Sequence, residues 1–331
     1  MKKRGSLILG LLSVVLIILL LMNYRYPFMV APGGNWSIGF QEASGIANLK
    51  VKPVDIITHQ HVNKITREEV TYIADPFFIK EQDTIYLFVE IKGKANADIA
   101  LFTSINERDY EYKGIVLDEA FHLSYPQVFR HKEKIYMLPE TKGANHVLLY
   151  KAESFPYNWK IEDTLIKNRA LKDPSILLSD KLKLIVAVDD DLKQYMFTAD
   201  SLNGKWEEVE GFKPRWGNES RPGGRFILID ENWYLPLQNH SEGYGTGISL
   251  YKLLITSEEY KFKLVDKLLL KPQKEIKWFE RGMHHLDVQQ MPEGGYYMVY
   301  DGDRNTSGNK EFQYKRSVKW NLVDLYNYLQ F

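Results

Sequence analysis

The sequence predicts an all-β chain, a five-bladed β-propeller preceded by one N-terminal transmembrane helix. Three observations carry that expectation. A proline-led pair of short strands recurs four times at near-constant spacing, a fifth copy lacks the proline, and an uncharged apolar run follows directly on three basic residues.

Taken in chain order, Lys2, Lys3 and Arg4 precede SLILGLLSVVLIILLLM, seventeen uncharged residues from Ser6 to Met22. That length lies at the short end of what spans a bilayer and above the usual core of a cleavable signal. The only cut-site candidate, Met29-Val30-Ala31, is followed by Pro32 and lacks a small residue at its −3 position. The expectation is an uncleaved anchor at residues 1–24, its basic flank cytoplasmic and the rest of the chain extracytoplasmic. A short linker, 25–35, would lead into a propeller at 36–331.

The repeat is clearest in IADPFFIKEQDTIYLFVE, Ile73 to Glu90, and SYPQVFRHKEKIYMLPE, Ser124 to Glu140. LKDPSILLSDKLKLIVAVDD and SRPGGRFILIDENWYLPLQ continue it, so that Pro76, Pro126, Pro174 and Pro222 fall 50, 48 and 48 residues apart. HHLDVQQMPEGGYYMVYDG, from His284, is the proline-free fifth copy. Each copy reads as a hairpin of two short strands around a polar turn. Third strands follow in DIALFTS, HVLLYKAES, QYMFTADS and ISLYKLLI, and fourth strands in WKIEDTLI and KWEEVEGF. Four short antiparallel strands at this period are the signature of a propeller blade. The early strand WSIGF, Trp36 to Phe40, is expected to close the ring against the last blade, which hides the remaining edges.

Such a ring brings the starts of all the inner strands to one mouth: Asp75, Tyr125, Asp173, Arg221 and, in the fifth copy, His285. The second strands run back to the same mouth and end at Glu90, Glu140, Gln238 and Asp301. In the third copy Val188 is followed by Asp189, Asp190 and Asp191. Carboxylates gathered in this way need cationic or hydrogen-bonding partners, which Arg221, Arg225 and His285 could supply. The cluster reads either as an ion-pair network pinning the blades or as a polar binding site.

Composition narrows the classes. With 43 basic and 43 acidic residues and a net charge of +0, the chain has no basic stripe for nucleic acid. Its cysteine count is 0, which excludes disulfides, thiolate catalysis and Cys-ligated metals. Aromatic residues make up 13%, suited to a β-rich core and to stacking on sugar rings.

ADPFFI, FHLSYPQVF, YMLPET, LYKAESFPYNW and SRPGG resemble the N-terminal propeller domain of glucosamine inositolphosphorylceramide transferases. That domain in turn is similar to the five-bladed furanosidase propellers, including family 43 glycoside hydrolases. The resemblance runs from about Trp36 to Asp303. The transferase domain of the plant proteins follows the propeller, and the stretch after Asp303 is too short for one, so transferase activity is not expected here. The furanosidase likeness implies a first-blade base at Asp75 and a third-blade modulator at Asp173. The acid, usually on the fourth blade, has no match at Arg221-Pro222-Gly223, which leaves Glu140 or Glu219. An inverting mechanism needs acid and base about 6.5–9.5 Å apart. The likeness also implies a calcium or sodium ion near the fifth-blade histidine, at the position of His285.

Other signals are weaker. His284, His285, His122 and His240 lack the spacing of a structural zinc site. Asp301 to Gly308 reads as a turn, since Phe312 stands where a calcium loop needs glutamate. Trp216, Tyr244 and Trp278 are candidates for sugar stacking, and Asn35-Trp36-Ser37 fits a glycosylation sequon. Two functions stay open. One is a glycoside hydrolase using Asp75, Asp173 and Glu140 or Glu219, with Glu90, Tyr125, Arg221, Gln238, His285 and Asp301 holding substrate. The other is a non-catalytic module for a glycan or glycolipid, working beside a separate glycosyltransferase.

Overall fold

The computed structural model describes residues 2–22, 29–30, 34–46, 49–67, 69–241, 243–292, 294–304, 311–312 and 314–330. Most of the expected linker and the Asn305–Gly308 half of the last loop fall outside these residues.

Five four-stranded antiparallel sheets make a ring. Blade one uses strands within 72–117, blade two 124–166, blade three 172–208 and blade four 227–270. Blade five is composite: Leu286–Gln290 and Tyr296–Asp303 form its inner half, and Trp36–Ala43 and Asp55–Thr58 its outer half. The closure runs over the whole early strand, from Trp36 opposite Asp303 to Ala43 opposite Tyr296. Ring closure by the early strand is therefore as expected, and the strand reaches Ala43 rather than stopping at Phe40. The fourth strand of blade three shrinks to Glu207–Glu208. Aromatic and branched residues from neighbouring blades interlock as the core; Phe77 and Phe88 of blade one, for example, pack with Tyr125 and Val128 of blade two.

Two helices depart from the all-β expectation. His59–Thr66 follows blade five's outer strand, with Thr58 as its N-cap: the His61 N–H donates to the Thr58 hydroxyl at 3.2 Å. The second, Tyr314–Gln330, belongs to no blade. It packs Trp320 and Val323 against Val188 and Leu192 on the rim of blade three. At the other end of the chain the basic and apolar residues form one helix, Lys2–Met22. Among the described residues no helix is long and apolar enough to cross a membrane.

The prolines set the geometry of the mouth. A residue before proline is kept out of the right-handed helical region, and Asp75, Tyr125 and Asp173 instead take positive φ, at 50°, 52° and 47°. Each lies in a break of strand register, between Ala74 and Phe77, Ser124 and Gln127, and Lys172 and Ser175. These are β-bulges, which re-aim a side chain and free backbone amides from the ladder. A left-handed tyrosine costs on the order of 1–3 kcal/mol, so the surroundings must hold it there.

Candidate functional site

The freed amides explain the repeated carboxylates. The Asp75 N–H donates to Asp301 Oδ2 at 3.3 Å, the Tyr125 N–H to Asp75 Oδ2 at 3.2 Å and the Asp173 N–H to Glu140 Oε2 at 3.2 Å. Each bulge is capped by a carboxyl from the blade before it, with blade five capping blade one. Asp301 also accepts the His284 and His285 N–H groups at 2.9 and 3.0 Å. The caps tie successive blades together at the mouth.

Two ion pairs cross this ring. Arg221 grips Asp173 in a bidentate pair, Nε to Oδ2 at 2.6 Å and a terminal nitrogen to Oδ1 at 3.0 Å. The Gln238 amide adds a third donor to Asp173 at 2.8 Å. Burial opposes ionisation of Asp173, but the Arg221 charge and its hydrogen bonds outweigh it and hold the carboxyl below its ordinary range. The second pair joins His284 Nδ1 to Asp301 Oδ2 at 2.7 Å. Burial works against the imidazolium, yet Asp301 lifts His284 to about 9. Trp36 stacks on that ring at 3.9 Å.

The balance goes the other way at Asp75 and Glu140, where burial prevails. Burial, reinforced by the Asp173 charge, raises Glu140 to about 8, although Arg221 lies 3.8 Å away. Burial also drives Asp75 well above its ordinary range; His284 opposes, while Glu90, Asp173 and Asp301 add to the rise. Glu140 is thereby held as an acid at neutral pH, while burial works against the ionised form that Asp75 would need as a base.

Several predicted residues sit elsewhere. Glu219 is buried within blade four and away from the mouth carboxyls, accepting from Asn239 at 3.1 Å, Ser249 at 2.8 Å and Tyr251 at 3.1 Å. Tyr125 points down the channel rather than out of it: the hydroxyl lies 2.6 Å from Ser175 Oγ and 2.7 Å from the Gly224 carbonyl. His285 lies beneath the opening, edge-on to Phe77 at 4.5 Å and Tyr125 at 5.2 Å. Neither of its ring nitrogens has a hydrogen-bond partner, and burial lowers it to about 3. Gln238 and Asp301 are fully buried within the clamps. Glu90 is buried, accepting from the Tyr72 hydroxyl at 2.8 Å and paired at 3.1 Å with the exposed His122. Below all of these Arg225 and Asp287 close the channel.

Sequence reasoning missed His284, which does the work assigned to His285. The doublet was visible, but which histidine turns to the carboxylates depends on one residue of register. Tyr244, singled out as a stacking residue, does reach the mouth, 5.7 Å from the Arg221 guanidinium and 5.3 Å from the His284 ring. Trp216 and Trp278 pack outside it, Trp216 on the C-terminal helix and Trp278 against His59.

Asp75, His284 and Asp301 place ligand atoms within 4.8 Å of one another and could in principle hold a metal. The set fits calcium or sodium poorly. Asp301 is already committed to three amides and an imidazolium, and calcium wants six to eight oxygens.

The five-bladed ring is a fold this chain shares with solved glycoside-hydrolase propellers. A thermostable family-43 glycoside hydrolase superimposes with a TM-score of 0.51 at 16% identity, over 73% of this chain and 92% of that one. The α-L-arabinofuranosidase of Podospora anserina, solved with cellotriose, gives 0.54 at 10% identity, over 70% and 91%. At such identities the likeness is one of fold. Within that architecture the chain belongs to the family described as "Glucosamine inositolphosphorylceramide transferase 1, N-terminal", whose model matches residues 26–303. Similar proteins include glucosamine inositolphosphorylceramide transferase 1 of Oryza sativa subsp. japonica, 31% identical over 329 residues, 88% of this chain and 44% of the relative. The Arabidopsis thaliana protein of that name is 33% identical over 253 residues, 72% and 33%. The chain therefore spans less than half the length of these relatives.

Proposed function

We propose that this propeller is a non-hydrolytic carbohydrate-recognition module, membrane-anchored through Lys2–Met22 and acting on the extracytoplasmic side beside a separate glycosyltransferase. The observation that carries the reading is the Arg221–Asp173 clamp. Asp173 stands where the furanosidase resemblance expects the residue that tunes the acid, and it is fully buried and bonded by Arg221 and Gln238. The electrostatics support the same reading, because a base must be ionised to activate water and burial pushes the Asp75 carboxyl well above its ordinary range. What stays within reach of a ligand is the rim: half-buried Tyr244 for a sugar face, Arg221 for an anionic group, and His122. The names of the relatives support a glycolipid glycan as the ligand class. The anchor rests on the uncharged run Ser6–Met22 after three basic residues.

One observation favours hydrolysis instead. Glu140, raised to about 8, is a carboxyl kept protonated at neutral pH, as a general acid must be.

The full-length protein in detergent, titrated on a glycan array and assayed for released reducing ends, separates the two. Binding without release, lost in Tyr244→Ala while the melting temperature holds, is the expected result. Release of reducing ends that disappears in Glu140→Gln would establish the hydrolase and end the present reading. So would absence of binding to every glycan.

A further inference from the structure

We infer that the C-terminal helix, Tyr314–Gln330, is a membrane-surface helix that turns the propeller's mouth toward the bilayer. The inference rests on the anchor reading above and adds an orientation to it.

The helix carries two apolar faces. One is spent on the propeller: Trp320 and Val323 pack on Val188 and Leu192, and Asn327 Nδ2 donates to the Trp216 carbonyl at 2.5 Å. The opposite face should be polar in a helix that meets only water. Instead Leu322, half-buried Leu325 and Leu329 follow one another at helical spacing, with Leu322 51% and Leu329 76% exposed. Such a helix, with Lys315, Arg316 and Lys319 near its start against the single acid Asp324, has the composition of one that lies in a lipid interface.

Its position names the occupant. Met29 and Val30, just beyond the N-terminal helix, pair antiparallel with Phe312 and Glu311, just ahead of the C-terminal helix. Six residues lie between Met22 and Met29, a reach of at most about 25 Å over seven Cα–Cα steps. The N-terminal helix also touches the C-terminal one. The strand pair thus fixes the C-terminal helix beside the point where an anchor leaves the membrane.

The same helix sits on the mouth side of the ring. It meets the chain just after Val188, where Lys319 pairs with Asp191 at 2.5 Å. It also meets the segment leading into Arg221, where a Cβ on Gly217 would strike Trp320. Both chain ends leave the propeller at that face, since Trp36 and Asp303 are register partners at its rim. A bilayer holding the exposed stripe therefore faces the Arg221–Tyr244 rim. The ligand would come from the headgroup layer rather than from solution.

With a cysteine count of 0, single labels are clean. Leu329→Cys, Leu12→Cys and Asp83→Cys, the last in the blade-one turn at the far end, would each carry an environment-sensitive fluorophore. The full chain would be reconstituted in phosphatidylcholine–phosphatidylserine vesicles. A blue shift at positions 329 and 12 but not at 83 is expected. A shift at 12 alone would overturn the inference and leave the anchor standing. A shift at 329 alone would keep the helix on the membrane and remove the anchor. No shift at either would overturn both. Energy transfer between copies labelled at 329 that persists on dilution with lipid would mean a second copy covers the stripe, and would also overturn it.

Discussion

The channel holds two buried charge clusters of opposite character. In the deeper one Arg225 meets Asp287 in a bidentate pair, and the same terminal nitrogen that reaches Asp287 also lies 3.1 Å from the Phe78 and Val128 carbonyls. One cation meets one anion, and blades one, two, four and five converge on it. At the mouth, Asp75, Glu140, Asp173 and Asp301 share two cations, and burial pushes Asp75 and Glu140 upward where no further base pairs with them. The deeper cluster is a fixed pin. The mouth is a reservoir of titratable groups, and the difference shows that a repeated glutamate can be a blade cap and a poised acid at once.

The sharpest way to break the comparison is Asp287→Ala. It strands a buried guanidinium, and loss of about 3–5 kcal/mol in denaturant unfolding is expected. If Arg221→Gln cost as much, the mouth would be a pin as well. Expected instead is about 1–3 kcal/mol, because Gln238 still donates to Asp173 and that carboxyl can take up a proton. Tyr125→Phe should cost about 1–2 kcal/mol by thermal melting, leaving Ser175 and the Gly224 amide without the hydroxyl.

Smallest at pH 6, and most informative, is Glu140→Gln. The Glu140 carboxyl is raised to about 8 from the 4.5 of an unfolded chain. The folded state keeps that proton while the unfolded state loses it, so the stabilisation is full below pH 4.5 and is lost as pH rises through 8. His284, raised from 6.5 to about 9, adds a loss over its own window in the same direction. The wild type should therefore melt progressively lower from pH 6 to 9. Glu140→Gln should melt within about 1 kcal/mol of it at pH 6 and show a shallower alkaline decline. An unchanged slope would return Glu140 to the ionised state and make the two clusters alike.

Much of this was legible because proline spacing is a strong periodic mark. Pro76, Pro126 and Pro174 located three bulges, and with them Asp75, Tyr125 and Asp173 at one end of the ring. The same logic placed Glu90 and Glu140 at that end. It could not say where each side chain points. Tyr125 takes the same backbone turn as the aspartates, yet its ring is long enough to span to Gly224, so it fills the channel. Glu219 lies two residues from Arg221 in sequence but behind the strand, facing Asn239, Ser249 and Tyr251. The Tyr314–Gln330 helix was not expected, because its helical spacing of Val318, Leu322, Leu325 and Leu329 is one short run after a chain dominated by strand pairs. The Thr58 cap of the short helix was equally readable and was overlooked.

The composite fifth blade also imposes an order in time. WSIGFQEA is among the first parts of the propeller to emerge from the ribosome, and its partner strand Tyr296–Asp303 among the last, some 260 residues later. Until then a flat eight-residue edge, six of whose residues end up buried, has nothing to pair with. Contacts of such sequence separation form slowly and leave an aggregation-prone edge exposed meanwhile. Tethering by an N-terminal anchor would hold that edge at the membrane surface and apart from other copies while it waits, so the anchor would serve folding as well as location.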